Sequence, residues 1–590
     1  MKKNAIYKFK IKQMKKRISL TAISFVLLAL YSFIALPKQV NPADTADKIF
    51  INGKIITVDQ QNTIAEAVAI KDGKILAVGS NEEIEKLKGQ STVVVDLDGK
   101  TLTPGFIDGH SHFMSIEVGT LVNVSPPPMG PVKNIPDIVA ELLKFKKEKN
   151  IKDGEWISGF GYDQEQLEEK RHPTKEDLDA AFPNNPVVIT HASGHMLVAN
   201  SYALRISGID SNTVDPKGGV IVREPGTKEP AGLLQEGAGH LLKRNEKKQS
   251  IEERIGLLQK QQLLYASNGF TTAQEGYTGF DALQLLKKAA DAKLLFIDIE
   301  ALPGYSTLDK VFADPQYKFG ILENHLKLAG FKLIADGSPQ GKTAFFTKPY
   351  LTEVPGCNED DCTGFPNVTQ DQFNDAVLKG YKNNVRTFVH CNGDATIDMY
   401  LRAIKRADSI LNITKNDRRS VVIHSQFVRP DQLDTYKELG VVAALFSNHA
   451  FFWGDAHLRN LGQERAFNLS PFRTAIQKGV VATDHTDYPV TPLNQLFLLW
   501  TAVTRQSRTG QVIGPDQRIT PIEALRSITI NGAYEYFEEN SKGSIEKGKI
   551  ADFVVLSDDL LTVNPDKIKD IKVLETIKEG KTIYKAGDKL

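Results

Sequence analysis

Short apolar segments separated by helical patterns run through the middle of this chain. Thr369 and Gln372 have the spacing of a capping box before a helix, and a second helix pattern begins at Pro430 and ends at Gly440. Strands that alternate with helices form parallel βα units, and eight such units are typical of a closed barrel. The eight segments typical of strands are 102–110, 269–275, 294–302, 327–336, 387–391, 421–425, 441–446 and 480–487. We therefore predict an α/β fold of the (β/α)8 TIM-barrel type.

A second pattern frames the predicted barrel. Residues 48–98 alternate β-rich runs with turns at Asn52-Gly53 and Asp72-Gly73, and the same alternation returns after Gly543. This favours one composite β-sandwich domain built from both chain ends, with two separate β appendages as the alternative. The predicted domains are the N-terminal portion of the β-sandwich at 47–103, a TIM-barrel catalytic domain at 104–540 with an insertion at about 118–246, and the C-terminal portion of the β-sandwich at 541–590. The insertion is too long for a loop and must have secondary structure of its own.

The N-terminal residues have the pattern of a targeting segment. Residues 1–17 contain eight Lys and Arg and no acidic residue, and residues 19–36 are an uncharged apolar run. A basic flank before an apolar run is typical of a secretory signal or an uncleaved anchor, with a buried core helix as the alternative. We therefore predict a signal peptide or N-terminal membrane anchor at 1–46, and an exported, extracytoplasmic protein that is periplasmic or membrane-anchored.

Composition and charge narrow the class of function. Hydrophobic residues make up 41% and charged residues 25%, which is typical of a chain with a buried core. The formal charge of +1 gives no field that would attract nucleic acid, so no nucleic-acid partner is expected. Membrane contact is expected only through the N-terminal segment, and a homodimer is left open. Of three cysteines, Cys357 and Cys362 flank an acidic turn and either pair or stay free.

Histidines stand at the ends of several predicted strands. His110 and His112 are two residues apart, so their imidazoles point to one side and can share a metal ion. His390 and His424 end two further strands, in RTFVH and SVVIH. A buried histidine bonded to backbone is the alternative for each of these taken alone. Together they indicate a metal site, because barrel enzymes place their catalytic groups at the carboxyl ends of strands.

A lysine and two aspartates add to this pattern. Lys332 lies in an apolar strand, where it either pairs with Asp336 or loses its proton and forms a carbamate with carbon dioxide. Asp484 and Asp487 lie at the end of the eighth strand, where a carboxylate can bind metal and accept a proton from water. The residues alone leave both choices open.

The chain resembles the amidohydrolase superfamily, and most closely its family 3 branch, which includes N-substituted formamide deformylases. The motifs that carry the resemblance are PGFIDGHSH, FKLIADGSPQG, VHCNGDATID, VIHSQFVRPDQL and TDYPVTP, within residues 49–584. The resemblance implies a (β/α)8 barrel with a composite β-sandwich and hydrolysis of a C–N bond by a metal-activated hydroxide. It implies two divalent ions, with zinc the first candidate, and carbon dioxide bound as a lysine carbamate.

The same resemblance implies a role for each site residue. His110 and His112 would hold the more buried ion, His390 and His424 the second ion, and Lys332 the carbamate bridge. Asp487 fits the branch's Ser-Asp-x-Pro-Val pattern, which Asp484 does not, and would be both ligand and catalytic base. The residues implied as substrate contacts are His195 in THASGHMLVAN, Asp163 in GYDQ and His449 in FSNHAFFWGD.

The predicted reaction is hydrolysis of a small-molecule, amide-like substrate. Asp487 would take a proton from water and pass it to the leaving nitrogen. The alternatives are a mononuclear amidohydrolase or deaminase with an unmodified Lys332, and a non-catalytic exported metal-binding scaffold on the same barrel.

Overall fold

The computed structural model describes residues 45–116, 121–244, 249–355, 357, 361–413 and 417–588. The predicted signal peptide or membrane anchor lies almost entirely before the first described residue. Across the described ranges, no helix has the length and apolar character needed to cross a bilayer.

The described chain alternates strands and helices over most of its length. The strands are β1 (Ala46–Ile51), β2 (Lys54–Ile56), β3 (Ile64–Ala65), β4 (Ala67–Lys71), β5 (Lys74–Gly79), β6 (Lys88–Asp96), β7 (Thr101–Pro104), β8 (Phe106–Ile107), β9 (Val122–Asn123), β10 (Ile157–Tyr162), β11 (Val187–His191), β12 (Met196–Ala199), β13 (Gly219–Arg223), β14 (Pro230–Glu236), β15 (Phe270–Thr278), β16 (Asp298–Pro303), β17 (Leu326–Leu328), β18 (Phe331–Ile334), β19 (Thr387–Cys391), β20 (Val421–His424), β21 (Val442–Leu445), β22 (Ala482–Asp484), β23 (Phe553–Leu556), β24 (Val573–Lys578) and β25 (Lys581–Lys585). The α-helices are α1 (Asn81–Glu85), α2 (Ile135–Glu148), α3 (Lys175–Asp179), α4 (Ser201–Ser207), α5 (Ile251–Ser267), α6 (Phe280–Asp291), α7 (Leu308–Ala313), α8 (Gln370–Lys382), α9 (Asp394–Leu411), α10 (Pro430–Leu439), α11 (Asn448–Leu461), α12 (Gln463–Phe467), α13 (Phe472–Gln477), α14 (Gln495–Thr504), α15 (Pro521–Ser527) and α16 (Ile530–Glu535).

Two runs of parallel strands form the centre of the molecule. One has the order β17-β16-β15-β8 and the other the order β18-β19-β20-β21-β22. Each neighbouring pair within them is parallel. A parallel bridge between Gly304 and Lys332 connects the two runs. Helices that follow the strands pack their apolar faces against them, as Leu286, Ala403 and Leu499 do in one buried cluster.

Two segments predicted as single strands are each divided at a glycine. Segment 327–336 forms β17 and β18, because a Cβ on Gly330 would lie 2.7 Å from the carbonyl oxygen of Arg386. Segment 102–110 forms β7 and β8, and the chain passes at Gly105 from a sheet of the terminal residues to the parallel strands. The prediction of one continuous strand is wrong in both places, because backbone or side-chain atoms of distant residues pack closely against these glycines.

Strands from both ends of the chain share one sheet. Its order is β25-β24-β23-β7-β2-β3, so β23 to β25 from the C-terminal end join β2, β3 and β7 from the N-terminal end. A four-stranded sheet, β5-β4-β1-β6, lies beside it. Buried side chains of the two sheets, among them Phe50, Val68, Leu102 and Phe553, form one cluster. The two end segments are therefore not separate appendages.

The segment between β8 and β15 forms its own sheet. The order of its six strands is β13-β14-β12-β11-β10-β9. Helix α2 packs Ile138 and Leu142 against Val187 and Ile189 of this sheet. A hydrogen bond from Gln164 Nε2 to the carbonyl oxygen of Gln340, 3.0 Å long, connects the insertion to the loop after β18. The insertion therefore lies over the carboxyl ends of the parallel strands.

The structure tests the two predicted helix boundaries and the pairing of Cys357 with Cys362. The capping box of Thr369 and Gln372 is confirmed at the start of α8. Helix α10 begins at Pro430 and ends before Gly440, whose φ of 65° is left-handed. Cys357 and Cys362 form a disulfide, with Cα atoms 6.4 Å apart.

Candidate active site

The predicted ligand residues come together at the carboxyl ends of the parallel strands. Strands of one parallel sheet end on the same side, so side chains at their carboxyl ends share one site. The residues in this position are His110 and His112 after β8, Lys332 in β18, His390 in β19, His424 at the end of β20, and Asp487 after β22. Stretches of chain more than 300 residues apart therefore converge.

His110, His112 and Asp487 form the tightest group. Nε2 of His110 lies 3.5 Å from Oδ1 of Asp487, and Nε2 of His112 lies 3.4 Å from the same oxygen. Each of the three side chains offers a ligand atom within 4.8 Å of the others. Oδ1 of Asp487 is buried and has no hydrogen-bond partner among the described residues. Two imidazoles and an unpartnered carboxylate oxygen are a donor set that fits a divalent metal ion.

His390 and His424 form a second pair beside this group. Nε2 of His424 lies 3.0 Å from Nδ1 of His390 and 4.0 Å from Oδ2 of Asp487. The two carboxylate oxygens of Asp487 thus face different histidine pairs. His424 and Asp487 both have left-handed φ, at 73° and 51°. Strained backbone of this kind persists where the surrounding structure holds it and is common at functional sites.

The buried histidines are held in the neutral form that binds metal. Burial, and next the positive charge of Lys332, hold the pKa of His110 well below its ordinary value. Burial likewise lowers the pKa of His390 and of His424. A neutral imidazole keeps a lone pair for a metal ion, so these side chains are in the state that ligand formation requires.

Lys332 is buried and forms no ion pair with an acidic side chain among the described residues. Its side chain is 1% exposed, and its Nζ lies 3.1 Å from Nε2 of His110. Burial lowers the pKa of Lys332 to about 7. Asp336 instead accepts hydrogen bonds from the backbone N–H groups of Asn392 and Gly393, at 3.0 and 2.8 Å. Within the described chain Lys332 forms no ion pair with Asp336, so the ion-pair alternative is wrong.

The two candidate aspartates face different surroundings. Asp484 accepts hydrogen bonds from the backbone N–H of Ser447 at 3.0 Å and from its hydroxyl at 2.5 Å. These bonds connect Asp484 to the residue before α11 and not to the histidine cluster. Burial raises the pKa of Asp484 to about 7. Asp487 is the aspartate whose oxygens face His110, His112 and His424.

A cavity of about 1110 Å³ opens above the cluster. Its base includes His112, Lys332, His390, His424 and Asp487, and its opposite wall comes from the insertion. Apolar side chains supply much of the lining, namely Met114, Met196, Leu197, Leu234, Leu242 and Ile334. Polar and apolar groups contribute nearly equally to the lining. A cavity that combines apolar walls with convergent polar groups is suited to binding a small molecule.

The three predicted substrate contacts occupy different places. His195 lines the cavity, and its ring centroid lies 4.9 Å from that of His390. His449 on α11 lies beside a smaller pocket shared with His390 and Asp487, and its Nδ1 is 3.2 Å from Nε2 of His457. Asp163 does not line the large cavity. Its carboxylate accepts hydrogen bonds from Trp453 and Gln166, so the structure gives it a supporting position.

Sequence reasoning missed several polar residues at this site. Gln274 lies with Oε1 2.5 Å from Nδ1 of His110, and Glu275 accepts a 2.6 Å hydrogen bond from the backbone N–H of Met114. His485 is fully buried and has two ring nitrogens without partners among the described residues. Glu236 lies with Oε2 2.9 Å from Nδ1 of His195. The polar pair Gln274-Glu275 at the end of an apolar strand was a signal that could have been used.

Burial and charge act in opposite directions on His195. Burial lowers its pKa, but the charge and hydrogen bond of Glu236 outweigh this, and the pKa is raised overall. The Glu236 carboxylate therefore favours a proton on His195, on the part of the cavity wall nearest His390.

Comparisons with known proteins agree with the motifs and the geometry. A model described as the amidohydrolase family matches residues 93–584. An N-substituted formamide deformylase of Arthrobacter pascens is 27% identical over 556 residues, covering 91% of this chain and 98% of that protein. The protein LONG AFTER FAR-RED 3 of Arabidopsis thaliana is 30% identical over 561 residues, covering 91% and 92%.

A solved structure shares the fold. The crystal structure of an uncharacterized metal-dependent hydrolase from Pyrococcus furiosus aligns with a TM-score of 0.66 at 24% identity, covering 87% of this chain and 100% of that one. The resemblance read from the motifs is confirmed, because the family match spans most of the chain. This protein belongs to the amidohydrolase family.

Proposed function

We propose that this protein hydrolyses a C–N bond of an amide-like small molecule at a site for two divalent metal ions. The observation that carries the proposal is the position of Asp487, whose two oxygens face His110 and His112 on one side and His424 on the other. Its Oδ1 has no other described partner. A carboxylate in this position can be a ligand of two metal ions and can also accept a proton from water.

The donor set fits this assignment. His110, His112 and Asp487 would hold the more buried ion, and His390 and His424 the second, with zinc the first candidate because imidazole and carboxylate are its common ligands. Lys332 would react with carbon dioxide and supply carbamate oxygens as ligands, a role that its burial and the absence of an ion pair within the described chain support. When bound, divalent ions polarise a carbonyl oxygen and lower the pKa of water.

The chain's own groups would move the proton. Asp487 takes a proton from the attacking water as the water oxygen forms a bond to the carbonyl carbon. Asp487 then gives this proton to the nitrogen as the C–N bond breaks, which yields a carboxylic acid and an amine. The apolar lining of the cavity would hold the substituent of the substrate and exclude water.

N-formyl amides are the first substrates to test. The Arthrobacter pascens relative is named an N-substituted formamide deformylase. At 27% identity over nearly the whole of both chains, it makes this bond type the best starting point. The cavity of about 1110 Å³ has room for a substituent far larger than the formyl group.

A mononuclear enzyme is the second candidate. Among the described residues, the group in which every ligand atom lies close to every other is His110, His112 and Asp487 alone. This observation favours one ion, with Lys332 unmodified and with hydrolysis or deamination as the outcome. Metal content per chain, measured before and after chelation, separates one ion from two.

The wider architecture also enters the proposal. We infer that the two parallel runs close into one eight-stranded barrel in which β17 and β18 together make one strand. The 3.1 Å hydrogen bond from Asp487 N–H to the His110 carbonyl supports this closure. We infer that the two terminal sheets form the composite β-sandwich. Export remains a proposal from residues 1–46.

The test combines metal analysis with a substrate screen. Purified protein is assayed against N-formyl, N-acyl and cyclic amides, with the variant His110→Ala/His112→Ala as the inactive control. His325→Gln is the matched control, because this histidine bonds Asp298, away from the cluster. We expect turnover of at least one amide class, lost in the double variant and kept in the matched control. Equal activity in the double variant and the wild type would overturn the proposal.

A further inference from the structure

Glu236 and His195 are held together at two points. Oε2 of Glu236 lies 2.9 Å from Nδ1 of His195, and the backbone N–H of Glu236 donates a 2.7 Å hydrogen bond to the carbonyl oxygen of His195. Glu236 is the last residue of β14, and His195 lies just before β12, its neighbour in the insertion sheet. The pair is therefore built into the sheet that covers the cavity.

The backbone at Glu236 is strained. Its φ of 49° and ψ of −125° lie outside the regions that residues with side chains normally adopt. Such a conformation persists only where the surrounding structure holds it, and it is concentrated at functional sites. A strand can end without this backbone conformation. We therefore infer that the surrounding structure holds Glu236, and with it the carboxylate, in this position.

The carboxylate of Glu236 also packs against Gly337. A Cβ on Gly337 would lie 2.2 Å from Oε1 of Glu236 and 2.0 Å from Oγ1 of Thr343, so glycine leaves room for both side chains. The carbonyl oxygen of Gly337 lies 3.3 Å from Nε2 of His390 and accepts a 2.8 Å hydrogen bond from Asn392. Glu236 thus packs against the backbone that borders the ligand His390.

His195 has one ring nitrogen left for a substrate. Its Nδ1 is taken by Glu236, and its Nε2 has no hydrogen-bond partner within the described chain. The side chain is 14% exposed and lines both the large cavity and the smaller pocket beside His390 and Asp487. The free nitrogen is therefore on a ring that faces the place where a substrate would react.

We propose that Glu236 is a positioning residue that fixes the ring of His195 so that Nε2 contacts the amide group of the substrate. A carboxylate that accepts the Nδ1 proton of a histidine sets both the tautomer and the orientation of the ring. The proposal rests on the proposed function for the identity of the substrate. The positioning itself is a property of the protein and is tested without turnover.

Nuclear magnetic resonance tests the positioning. The full chain is labelled with ¹⁵N-histidine, and the ring signals of His195 are identified by their loss in His195→Asn. We expect a proton on Nδ1 in the wild type, and a change of ring ¹⁵N shifts in Glu236→Gln and Glu236→Ala. A wild-type His195 without a proton on Nδ1, or unchanged shifts in both Glu236 variants, would overturn the proposal whatever the activity.

Kinetics tests the contact with the substrate. We expect Glu236→Ala to lower kcat/KM by about 10- to 100-fold, the size of loss typical of removing a partner that orients a metal-ligating histidine, and His195→Ala to lower it at least as much. Because Glu236 acts through His195, the double variant should be no worse than His195→Ala alone. Glu236→Gln, whose amide oxygen can still accept the Nδ1 proton, should retain more activity than Glu236→Ala.

A neighbouring variant controls for damage to the insertion sheet. Gln235→Met changes the preceding residue of β14, which is fully buried and whose side chain hydrogen-bonds Met196 rather than His195. It should keep the wild-type kcat/KM, and all variants should keep the wild-type metal content. Additive losses in the double variant, or an equal loss in Gln235→Met, would overturn the proposal. If the wild type hydrolyses no amide while the ring signals behave as expected, the proposed function and the substrate contact fail and the positioning stands.

Discussion

Nζ of Lys332 lies 3.1 Å from Nε2 of His110, although 222 positions separate the two residues in the sequence. Two cations at this distance in a buried site would repel strongly. Burial lowers the pKa of Lys332 to about 7, and burial together with Lys332 lowers the pKa of His110. The fold therefore favours a neutral imidazole beside an amine that readily loses its proton, and both are then able to form new bonds.

Replacing Lys332 tests the carbamate. Lys332→Met keeps an apolar chain of similar length in the buried strand but removes the amine that would react with carbon dioxide. We expect it to lower the metal content per chain and to abolish most turnover. Wild-type protein incubated with ¹³C-bicarbonate should show an additional ¹³C carbonyl signal that is absent from Lys332→Met.

Lys332→Arg is the matched variant for charge. It keeps a positive group at the same position but cannot form a carbamate. Metal content and activity equal to the wild type in Lys332→Arg would show that a cation is sufficient and that no carbamate is needed.

Asp487→Asn separates metal binding from proton transfer. The amide keeps an oxygen toward His110 and His112 but cannot accept the proton of water. We expect the variant to retain at least one metal ion and to lose about 10²- to 10⁴-fold in kcat, the usual contribution of a general base. Metal analysis and steady-state kinetics on the same preparation give both quantities.

Asp484→Asn is the natural comparison, since both aspartates lie at the end of β22 or just after it. The amide oxygen of asparagine can still accept the backbone N–H of Ser447, and its NH2 group can donate to the Ser447 hydroxyl oxygen. Burial already raises the pKa of Asp484 to about 7. Its turnover should stay close to that of the wild type. Equal losses in the two variants would remove Asp487 as the base.

The pattern of apolar segments predicted the order of strands and helices but not their exact bounds. Gly105 and Gly330 each end a strand that the sequence pattern continues, because the obstacle is the backbone or side chain of a distant residue. The joining of β23 with β7 depends on contacts between the two ends of the chain, which no local pattern records. Hairpin signals at Asn52-Gly53 and Asp72-Gly73 indicated β structure without indicating its partner.

The site residues also divide into those that the sequence could identify and those that it could not. His110 and His112 have a spacing with direct geometric meaning, so the sequence alone brings them together. The residues alone left the choice between Asp484 and Asp487 open, and the family resemblance favoured Asp487. The structure adds that the Asp484 carboxylate is bonded to Ser447. Glu236 could not be found, because its role depends on its distance from His195 and not on any motif.

Gln274 should tune the affinity of the first ion. Its Oε1 lies 2.5 Å from Nδ1 of His110, and its Nε2 donates to the carbonyl oxygen of Gly109 at 2.9 Å. Partners of this kind orient a ligand histidine, and their loss costs about 10- to 100-fold in metal affinity. We expect Gln274→Ala to weaken metal binding by this factor in competition with a chromophoric chelator.

Gln262→Ala controls for the loss of a buried glutamine. Gln262 is also fully buried, but it bonds the backbone of Leu294 and Phe296, away from the cluster. It should lower stability without changing metal affinity. An unchanged affinity in Gln274→Ala would show that His110 needs no partner to bind the ion.

His457 should make the folded protein sensitive to acid. It is fully buried beside His449, and burial lowers its pKa to about 3. In the unfolded chain a histidine has a pKa near 6.5, so between about pH 6.5 and 3 the unfolded state binds a proton that the folded state does not. The free energy of unfolding therefore falls as the pH falls through this window, by up to about 1.4 kcal/mol per pH unit for this group.

His457→Gln removes this titration and keeps a side chain that can bond His449. Its free energy of unfolding, measured by urea titration between pH 4 and 7.5, should fall less steeply with acid than that of the wild type. The buried ligand histidines contribute to the slope of both proteins alike, so the difference between the two curves belongs to His457. Parallel curves across the whole range would mean that His457 is not held neutral by its burial.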